Sequence, residues 1–116
     1  AKSIRELYSD RKITALFQPH LYTGTRDFYK DFADSLSLLD HVVLCDIYPA
    51  REEPIPGVTS ELIYDNLKPG VEKEMIHKEE VLDYVKSHDF DVLVVLGAGD
   101  LDNMVPEMEK ILKKKY

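Results

Sequence analysis

Short apolar runs alternate along this chain with longer segments in which apolar residues recur every three or four positions. The runs at residues 13–17, 41–47 and 91–96 are rich in β-branched and other apolar side chains, which predicts three buried strands. The weaker run at residues 71–76 predicts a fourth strand. Between residues 48 and 57, prolines and a glycine interrupt the pattern and predict a long loop.

The segments between these runs have the spacing of amphipathic helices. From Thr25 onward, apolar side chains recur every three or four residues and predict one such helix. Its apolar positions are Phe28, Phe32, Leu36 and Leu39. Further helices are predicted at residues 1–8, 60–67, 78–88 and 101–115.

The ends of these helices carry their own signals. Thr59 or Ser60 is predicted to cap the helix at residues 60–67 through a side-chain oxygen. Pro106 lies early in the closing helix, where it either occupies the first turn or kinks the axis. No cap precedes residues 1–8, which predicts that the chain begins inside a helix.

The alternation of strands and helices predicts one α/β domain, doubly wound, with a mainly parallel sheet and helices on both faces. In such open sheets, ligands bind beyond the carboxyl ends of the strands. Three loops that follow predicted strands are therefore expected to share one rim. They are Gln18-Pro19-His20, Asp46-Ile47-Tyr48-Pro49-Ala50-Arg51 and Gly97-Ala98-Gly99-Asp100.

Charge limits the partners of this domain. The 116 residues include 15 basic and 22 acidic side chains, a net charge of −7, which would repel the phosphate backbone of a nucleic acid. The basic run at residues 113–115 ends the closing helix, where cations favour the negative end of the helix dipole. We therefore expect no nucleic-acid partner and interpret the basic run as a solvated helix end.

Cys45 is the only cysteine, which excludes an internal disulfide and a four-cysteine zinc site. Its apolar surroundings predict a packed thiol in a reducing compartment, for which the cytoplasm is the default. No apolar run approaches the roughly 20 residues of a membrane helix, and the first residues lack a signal-peptide core. We expect a cytoplasmic protein without a membrane segment.

The segment FQPHLYTGTRDF, residues 17–28, permits two interpretations. A loop with hydroxyls and a glycine before a helix can hold a phosphate, as in flavodoxin-like domains. Alternatively, Thr23 or Thr25 only caps the helix. The segment GAGD at residues 97–100 is either part of a ligand site or a tight turn whose Asp100 or Asp102 caps the last helix.

Two polar residues beyond predicted strands are candidates for binding. His20 follows a proline directly after a strand, so its position is fixed and its imidazole can donate to a carboxylate or a phosphate. Asp46, near Arg51, Glu52 and Glu53, either binds a cation or a sugar hydroxyl or caps a turn. The other histidines share no metal-ligand spacing, which predicts no metal site.

Three segments, in order along the chain, carry a resemblance: FQPHLYTGTRDFYKDFADSL, DIYPAREEPIPGVTSELI and VLGAGDLD. Together they resemble the C-terminal domain of the Mur ligases, the ATP-dependent ligases of bacterial peptidoglycan synthesis. The resemblance extends over almost the whole chain with matching loop lengths. It is strongest to the members that join L-alanine to UDP-N-acetylmuramate.

The resemblance implies that residues 1–116 are a single Rossmann-like C-terminal domain, a fragment of a three-domain enzyme. In the family, the first domain binds the UDP-sugar, the central domain holds ATP and magnesium through a P-loop, and the last domain closes over the site. The sugar carboxylate becomes an acyl phosphate, which the amine of the amino acid attacks. This chain has no P-loop, so the resemblance implies a closing, amino-acid-side domain that contacts the ATPase domain and is inactive alone.

One family loop, corresponding to residues 18–25, is implicated in holding the amino acid. The matching substrate-binding residues are His20, Tyr22, Thr23 and Thr25. Gly24 stands at the family's arginine position, where a guanidinium would bind a carboxylate bidentately. Arg26 lies two residues further on and is kept as a candidate. The resemblance therefore implies either a weaker hold on the amino acid than in relatives or a glycine that was introduced at this position.

Two further family loops, interpreted as nucleotide-side or closure loops, are matched by Asp46, Tyr48, Ala50, Gly97, Gly99 and Asp100. Just before the point where this chain begins, the family has a strand that ends in a Tyr-Ala-His-His-like segment. The resemblance thus implies an N-terminally truncated domain that lacks an inner strand of its sheet. Such a domain is expected to be marginally stable or to associate through an unpaired edge.

Overall fold

A computed structural model describes residues 10–97 and 99–116 of the chain. Its strands are β1 (Ile13–Gln18), β2 (His41–Leu44), β3 (Glu72–Met75) and β4 (Val92–Gly97). Its helices are α1 (Tyr22–Leu36), α2 (Glu61–Asn66), α3 (Val81–Ser87) and α4 (Asp100–Lys115), with a 3₁₀ turn at Lys78–Glu80 before α3. The helix predicted at residues 1–8 and Ala98 of the GAGD segment lie outside the described residues.

The described strands form one parallel sheet in the order β3-β2-β1-β4. β1 lies inside the sheet, where Ile13 to Gln18 pair with β4 and Thr14 to Phe17 pair with β2. The prediction of an α/β fold with a mainly parallel sheet is confirmed. These strands pair without a gap, so the inner strand implied by the resemblance has no place between any two of them.

Side chains of β1 alternate between the two faces of the sheet, as successive residues of a strand must. Ile13 and Ala15 belong to one apolar cluster, and Leu16 belongs to a second. The first cluster also contains Ala33, Leu36, Val42, Ile63 and Leu67; the second also contains Val43, Cys45, Val81, Val85, Leu101 and Met108. Each fully buried aliphatic side chain stabilises the fold by about 1.5–3 kcal/mol relative to the same side chain exposed to water. The clusters place α1 and α2 on one face and α3 and α4 on the other, which confirms the prediction of helices on both faces.

The first helix begins earlier than its apolar spacing predicts. α1 starts at Tyr22 and ends at Leu36, so the predicted start at Thr25 is wrong and Leu39 lies beyond the helix. Phe28, an apolar position of the predicted stripe, is 53% exposed. The apolar spacing alone cannot locate the start of α1, because the first turn is held by Glu52, a residue distant in the sequence.

The predicted caps are only partly confirmed. Ser60 takes the cap position of α2, yet its hydroxyl donates to the carbonyl of Cys45 at 2.6 Å. The hydroxyl of Thr59 instead accepts the backbone N–H of Glu61 at 3.2 Å. In α4, Pro106 lies inside the helix beyond its first turn, so the first-turn alternative for this proline is wrong.

β3 borders the sheet on one side and consists of Glu72, Lys73, Glu74 and Met75. Its charged side chains have partners: Lys73 donates to the carbonyl of Tyr64 at 3.1 Å, and Glu74 accepts from the hydroxyl of Tyr84 at 2.6 Å. None of the helices in the described part of the chain is long and apolar enough to cross a membrane.

Candidate functional site

The loops after β1 and β2 are joined at the carboxyl edge of the sheet. The N–H of Leu21 donates to the carbonyl of Tyr48 at 2.8 Å, and the N–H of Tyr48 donates to the carbonyl of Pro19 at 2.8 Å. These bonds set His20 opposite Tyr48 as a parallel bridge. The His20 and Tyr48 rings are stacked, with centroids 5.8 Å apart and planes 14° apart. The sequence-predicted His20 is exposed, so its imidazole is free to meet a ligand.

The loop after β4 reaches the same place through Tyr48. A Cβ on Gly99 would lie 2.5 Å from a carbon of the Tyr48 ring, and Gly99 has a φ of +74°. Residue 99 must therefore be glycine for the ring to lie where it does. The three loops expected to share one rim do lie together, with the Tyr48 ring between His20 and Gly99.

Gln18 fixes the start of α4 against the end of β1. Its side chain is fully buried; the amide nitrogen donates to Asp100 Oδ2 at 3.0 Å, and the amide oxygen accepts the N–H of Leu101 at 3.1 Å. A Cβ on Gly97 would come within 2.8 Å of the Gln18 carbonyl oxygen. Asp100 is therefore held by a buried amide, and the prediction that Asp100 or Asp102 caps α4 is wrong, because α4 begins at Asp100 without a side-chain cap.

The N-terminus of α1 meets a carboxylate from the same chain. Glu52 Oε1 accepts the N–H groups of Tyr22 and Thr23 at 2.6 and 3.1 Å, and Oε2 accepts the Thr23 hydroxyl at 2.6 Å. The hydrogen bond from the Thr23 hydroxyl lowers the pKa of Glu52, with smaller contributions from the two N–H groups and from the charge of Arg26. The anion at this helix end is thus a side chain of the protein.

This contact bears on both interpretations of the Thr23-Gly24-Thr25 segment. Neither threonine caps α1, because both lie inside it; Thr25 is buried and its hydroxyl donates to the carbonyl of Leu21 at 2.9 Å. A phosphate at the N-terminus would have to displace Glu52. The sequence did not predict this contact, because Glu52 lies 30 residues from Tyr22 and no local pattern connects them.

Arg26 and Gly24 lie on α1 next to this contact. Arg26 is exposed, and its Nε donates to Asp27 Oδ1 at 2.9 Å. This hydrogen bond raises the pKa of Arg26 and lowers the pKa of Asp27. A Cβ on Gly24 would have no atom within 4 Å. The first side-chain atom of any residue at position 24 would therefore meet open space.

Asp46 pairs with a histidine that the sequence did not single out. His77 Nδ1 lies 3.0 Å from Asp46 Oδ1, and their side chains are 74% and 46% exposed. The hydrogen bond and charge of Asp46 raise the pKa of His77. The pair borders an open cavity of about 350 Å³, together with Tyr22 and Met75. Ala50 lies exposed in the same loop with a φ of +52°.

The described residues contain no group of three or more histidine, cysteine, aspartate or glutamate side chains that could hold a metal ion. A salt bridge of 3.7 Å joins Lys78 Nζ to Asp100 Oδ2, so that carboxylate already has a cation beside it. The rim consists of the exposed His20 ring, the half-buried Tyr48 ring and the hydrogen-bonding groups around them. It can orient a small polar ligand.

No protein-family model matches the chain, but individual proteins do. The chain is 68% identical over 113 residues to a UDP-N-acetylmuramate–L-alanine ligase of Phocaeicola vulgatus, a match that covers 97% of this chain and 25% of that protein. It is 54% identical to the ligase of the same name from Parabacteroides distasonis, with 97% of this chain and 24% of that protein covered. It is 51% identical to the ligase of the same name from Porphyromonas gingivalis, with 97% of this chain and 25% of that protein covered.

The chain spans about a quarter of the length of these relatives. Because these matches cover 97% of the chain, they extend over the rim loops and the strands that carry them. The resemblance to the Mur ligases, stated from the sequence, is confirmed. This chain is homologous to a segment, about a quarter of the full length, of the UDP-N-acetylmuramate–L-alanine ligases.

Proposed function

We propose that this chain is the closing, amino-acid-side C-terminal domain of a cytoplasmic ligase that joins L-alanine to UDP-N-acetylmuramate in peptidoglycan synthesis. The observation that carries the proposal is the 68% identity over 97% of the chain to a quarter of a ligase of that name. The parallel sheet with three loops gathered at its carboxyl edge supports it, because ligands of open α/β sheets bind there.

ATP and magnesium belong to another part of the proposed enzyme. The sequence has no P-loop, and the described residues include no cluster of three metal-ligating side chains. ATP and magnesium are therefore expected to be bound mainly by the central domain of the full-length enzyme. Alone, the 116-residue chain is expected to form no product from UDP-N-acetylmuramate, L-alanine and ATP.

The contribution of this domain is to position the amino acid and to exclude water. The exposed His20 imidazole can donate to the carboxylate of L-alanine, and Arg26 is the nearby guanidinium of α1. Holding an amine in line with its target supplies a large part of the rate enhancement of a two-substrate reaction, and closure keeps water from competing for an activated acyl group. His20, Tyr22, Thr23, Thr25 and Arg26 remain the proposed substrate-side residues; Asp46, Tyr48, Ala50, Gly97, Gly99 and Asp100 remain the proposed nucleotide-side or closure residues.

Gly24→Arg in the full-length ligase tests the amino-acid side of this proposal. Position 24 has open space, and a guanidinium there can bind the carboxylate of L-alanine by charge-assisted hydrogen bonds. We expect a lower KM for L-alanine and an unchanged KM for ATP. Ser35→Arg, at the exposed far end of α1, adds the same charge as a control and is expected to change neither constant. Equal KM values for L-alanine in Gly24→Arg and the wild type would remove this loop from the amino-acid site.

The rival hypothesis, a stand-alone flavodoxin-like phosphate module, is tested on the chain itself. Since Glu52 accepts the first N–H groups of α1, we expect no rise in Tm with flavin mononucleotide. A ligand at a hundred times its Kd would stabilise the chain by about 2.7 kcal/mol. A shift of that size would favour the phosphate module over the ligase domain.

A further inference from the structure

We propose that Glu52 is a positioning residue that holds the N-terminus of α1 and, through it, the His20–Tyr48 pair at the rim. This goes beyond the proposed function, which assigns no role to Glu52, and its kinetic test rests on that function. Glu52 touches neither of the two rings. It acts through the backbone between them.

Glu52 uses both carboxylate oxygens on one turn of helix, with three bonds of 2.6 to 3.1 Å to Tyr22 and Thr23. The first N–H groups of a helix have no partner within the helix and need one from elsewhere. A carboxylate is the favoured partner, because it also meets the positive end of the helix dipole.

α1 has no local substitute for its contact with the Glu52 carboxylate. Its cap position is Leu21, which has no side-chain oxygen and makes no side-chain cap bond. Leu21 also has a φ of +69°, a region that costs residues with a Cβ about 1–3 kcal/mol and persists only where surrounding contacts impose it. The start of α1 is therefore imposed by its surroundings, and the Glu52 carboxylate is its main polar contact.

Backbone hydrogen bonds connect Leu21 to the rim. The N–H of Leu21 donates to Tyr48, and the N–H of Tyr48 donates to Pro19, so a shift of Leu21 would move both strands of this short bridge. His20 lies within the bridge, and its ring stacks on Tyr48. Releasing Glu52 would therefore loosen the His20 ring, a proposed amino-acid contact, and the Tyr48 ring on which it stacks.

The structural test is amide hydrogen exchange measured by NMR on the 116-residue chain. Glu52→Ala is expected to speed exchange at Tyr22, Thr23 and Leu21 by about tenfold or more, as local opening becomes easier. Glu53→Ala removes the neighbouring exposed carboxylate and is the matched control, with exchange expected to stay at the wild-type rate. Unchanged exchange in Glu52→Ala would overturn the proposal.

Glu52→Gln keeps the size of the side chain and one acceptor oxygen, and it guards against a Glu52→Ala chain that does not fold. Its amide can still accept the two N–H groups but carries no charge toward the helix end. We expect intermediate exchange at Tyr22 and Thr23 in Glu52→Gln. Exchange as slow as in the wild type would overturn the role of the carboxylate charge.

The functional test uses the full-length ligase. Glu52→Ala is expected to raise the KM for L-alanine and lower kcat/KM by on the order of ten- to a hundredfold, the size expected when a binding group is misplaced by about 1 Å. The KM for ATP is expected to stay constant, and Glu53→Ala to match the wild type in every constant. A general loss of stability would instead lower the apparent kcat, because less of the enzyme is folded, and would leave the KM values for L-alanine and ATP unchanged.

The two tests separate the proposals from each other. Faster exchange with a raised KM for L-alanine supports both. Faster exchange with unchanged kinetic constants overturns the link between Glu52 and the reaction, and it also counts against the amino-acid side of the proposed function. Unchanged exchange overturns the role of Glu52 while leaving the proposed function intact.

Discussion

The ring of Tyr48 lies so close over Gly99 that a Cβ on residue 99 would come within 2.5 Å of a ring carbon. Gly99→Ala is therefore expected to lower the free energy of unfolding for two reasons. The backbone of Gly99, with φ +74° and ψ −117°, lies in a region that costs a residue with a Cβ about 1–3 kcal/mol, and the Tyr48 ring must also move. Urea unfolding of the two chains measures the difference.

Gly70→Ala is a control for a glycine with a positive φ and no crowding. Gly70 has a φ of +94° and no atom within 4 Å of a Cβ, so its substitution reports the cost of a positive φ without a steric clash. Gly99→Ala should lower the free energy of unfolding by more than Gly70→Ala does. When Tyr48→Ala is also present, the difference between the two glycine substitutions should become smaller. Equal losses at the two glycines, or an excess that persists without the Tyr48 ring, would contradict the packing described here.

Gln18→Leu is expected to destabilise the chain by about 1–3 kcal/mol, because the buried N–H of Leu101 would lose its acceptor. Gln18→Glu should cost more, since it sets a second carboxyl group against Asp100, and the Gln18 amide nitrogen now lies 3.0 Å from that carboxylate. Adding Asp100→Asn to Gln18→Glu should recover part of the loss, because an asparagine amide can donate to the new carboxylate. A double variant no more stable than Gln18→Glu would show that the two side chains do not interact.

The pair of Asp46 and His77 predicts a pH dependence. Asp46 raises the pKa of His77 above the ordinary value of 6.5, so the pair stabilises the fold fully below pH 6.5 and loses its effect as the pH rises through the raised pKa. NMR titration of the His77 ring should show a lower pKa in Asp46→Asn. Asp65→Asn, which removes a carboxylate exposed on α2, serves as the control and should leave the titration unchanged.

Unfolding experiments at two pH values provide a second measurement of the same pair. The stability lost in Asp46→Asn should be larger at about pH 5.5 than at about pH 9, where His77 is neutral in both chains. The exposure of both partners keeps the effect small. A larger loss at the higher pH would contradict the sign of the shift.

Cys45 is expected to resist thiol reagents while the chain is folded. Burial raises the pKa of its thiol to about 12, and the thiolate is the reactive form. Reaction with a chromogenic disulfide reagent at neutral pH should be slow in water and should accelerate through the urea unfolding transition. Cys45→Ala with Ser35→Cys carries one exposed thiol instead and should react at once; fast reaction of the folded wild type would contradict the burial of Cys45.

Apolar runs were sufficient to predict three of the four described strands, all except the charged β3. The runs that contain Ile13, Val42 and Val94 are each bounded by residues that break strands. A strand that is buried on both faces of a sheet is apolar at nearly every position, which makes it recognisable as a continuous run. The same pattern placed the three loops at one edge, because parallel strands end together. Single apolar side chains were less informative, as the exposed Phe28 shows.

The details of the rim could not be predicted, because they depend on contacts between residues far apart in the sequence. Glu52 reaches α1 across 30 residues, and the reason for glycine at position 99 is the Tyr48 ring from another loop. Local rules predicted threonine caps for α1, since no local rule anticipates a carboxylate from a distant loop. His77 was missed for the same reason, because only the sheet brings β3 beside the end of β2.

The composition of β3 determines how this sheet behaves when many copies are crowded together. Glu72, Lys73 and Glu74 lie on a strand at the border of the sheet, and a second chain that added a strand there would have to bring its backbone against charged side chains that already have partners. Bordering strands with a charge pattern of this kind resist edge-to-edge aggregation. β3 therefore limits growth of the sheet in that direction, and neutral replacements of its charged residues would be expected to promote self-association before they unfold the domain.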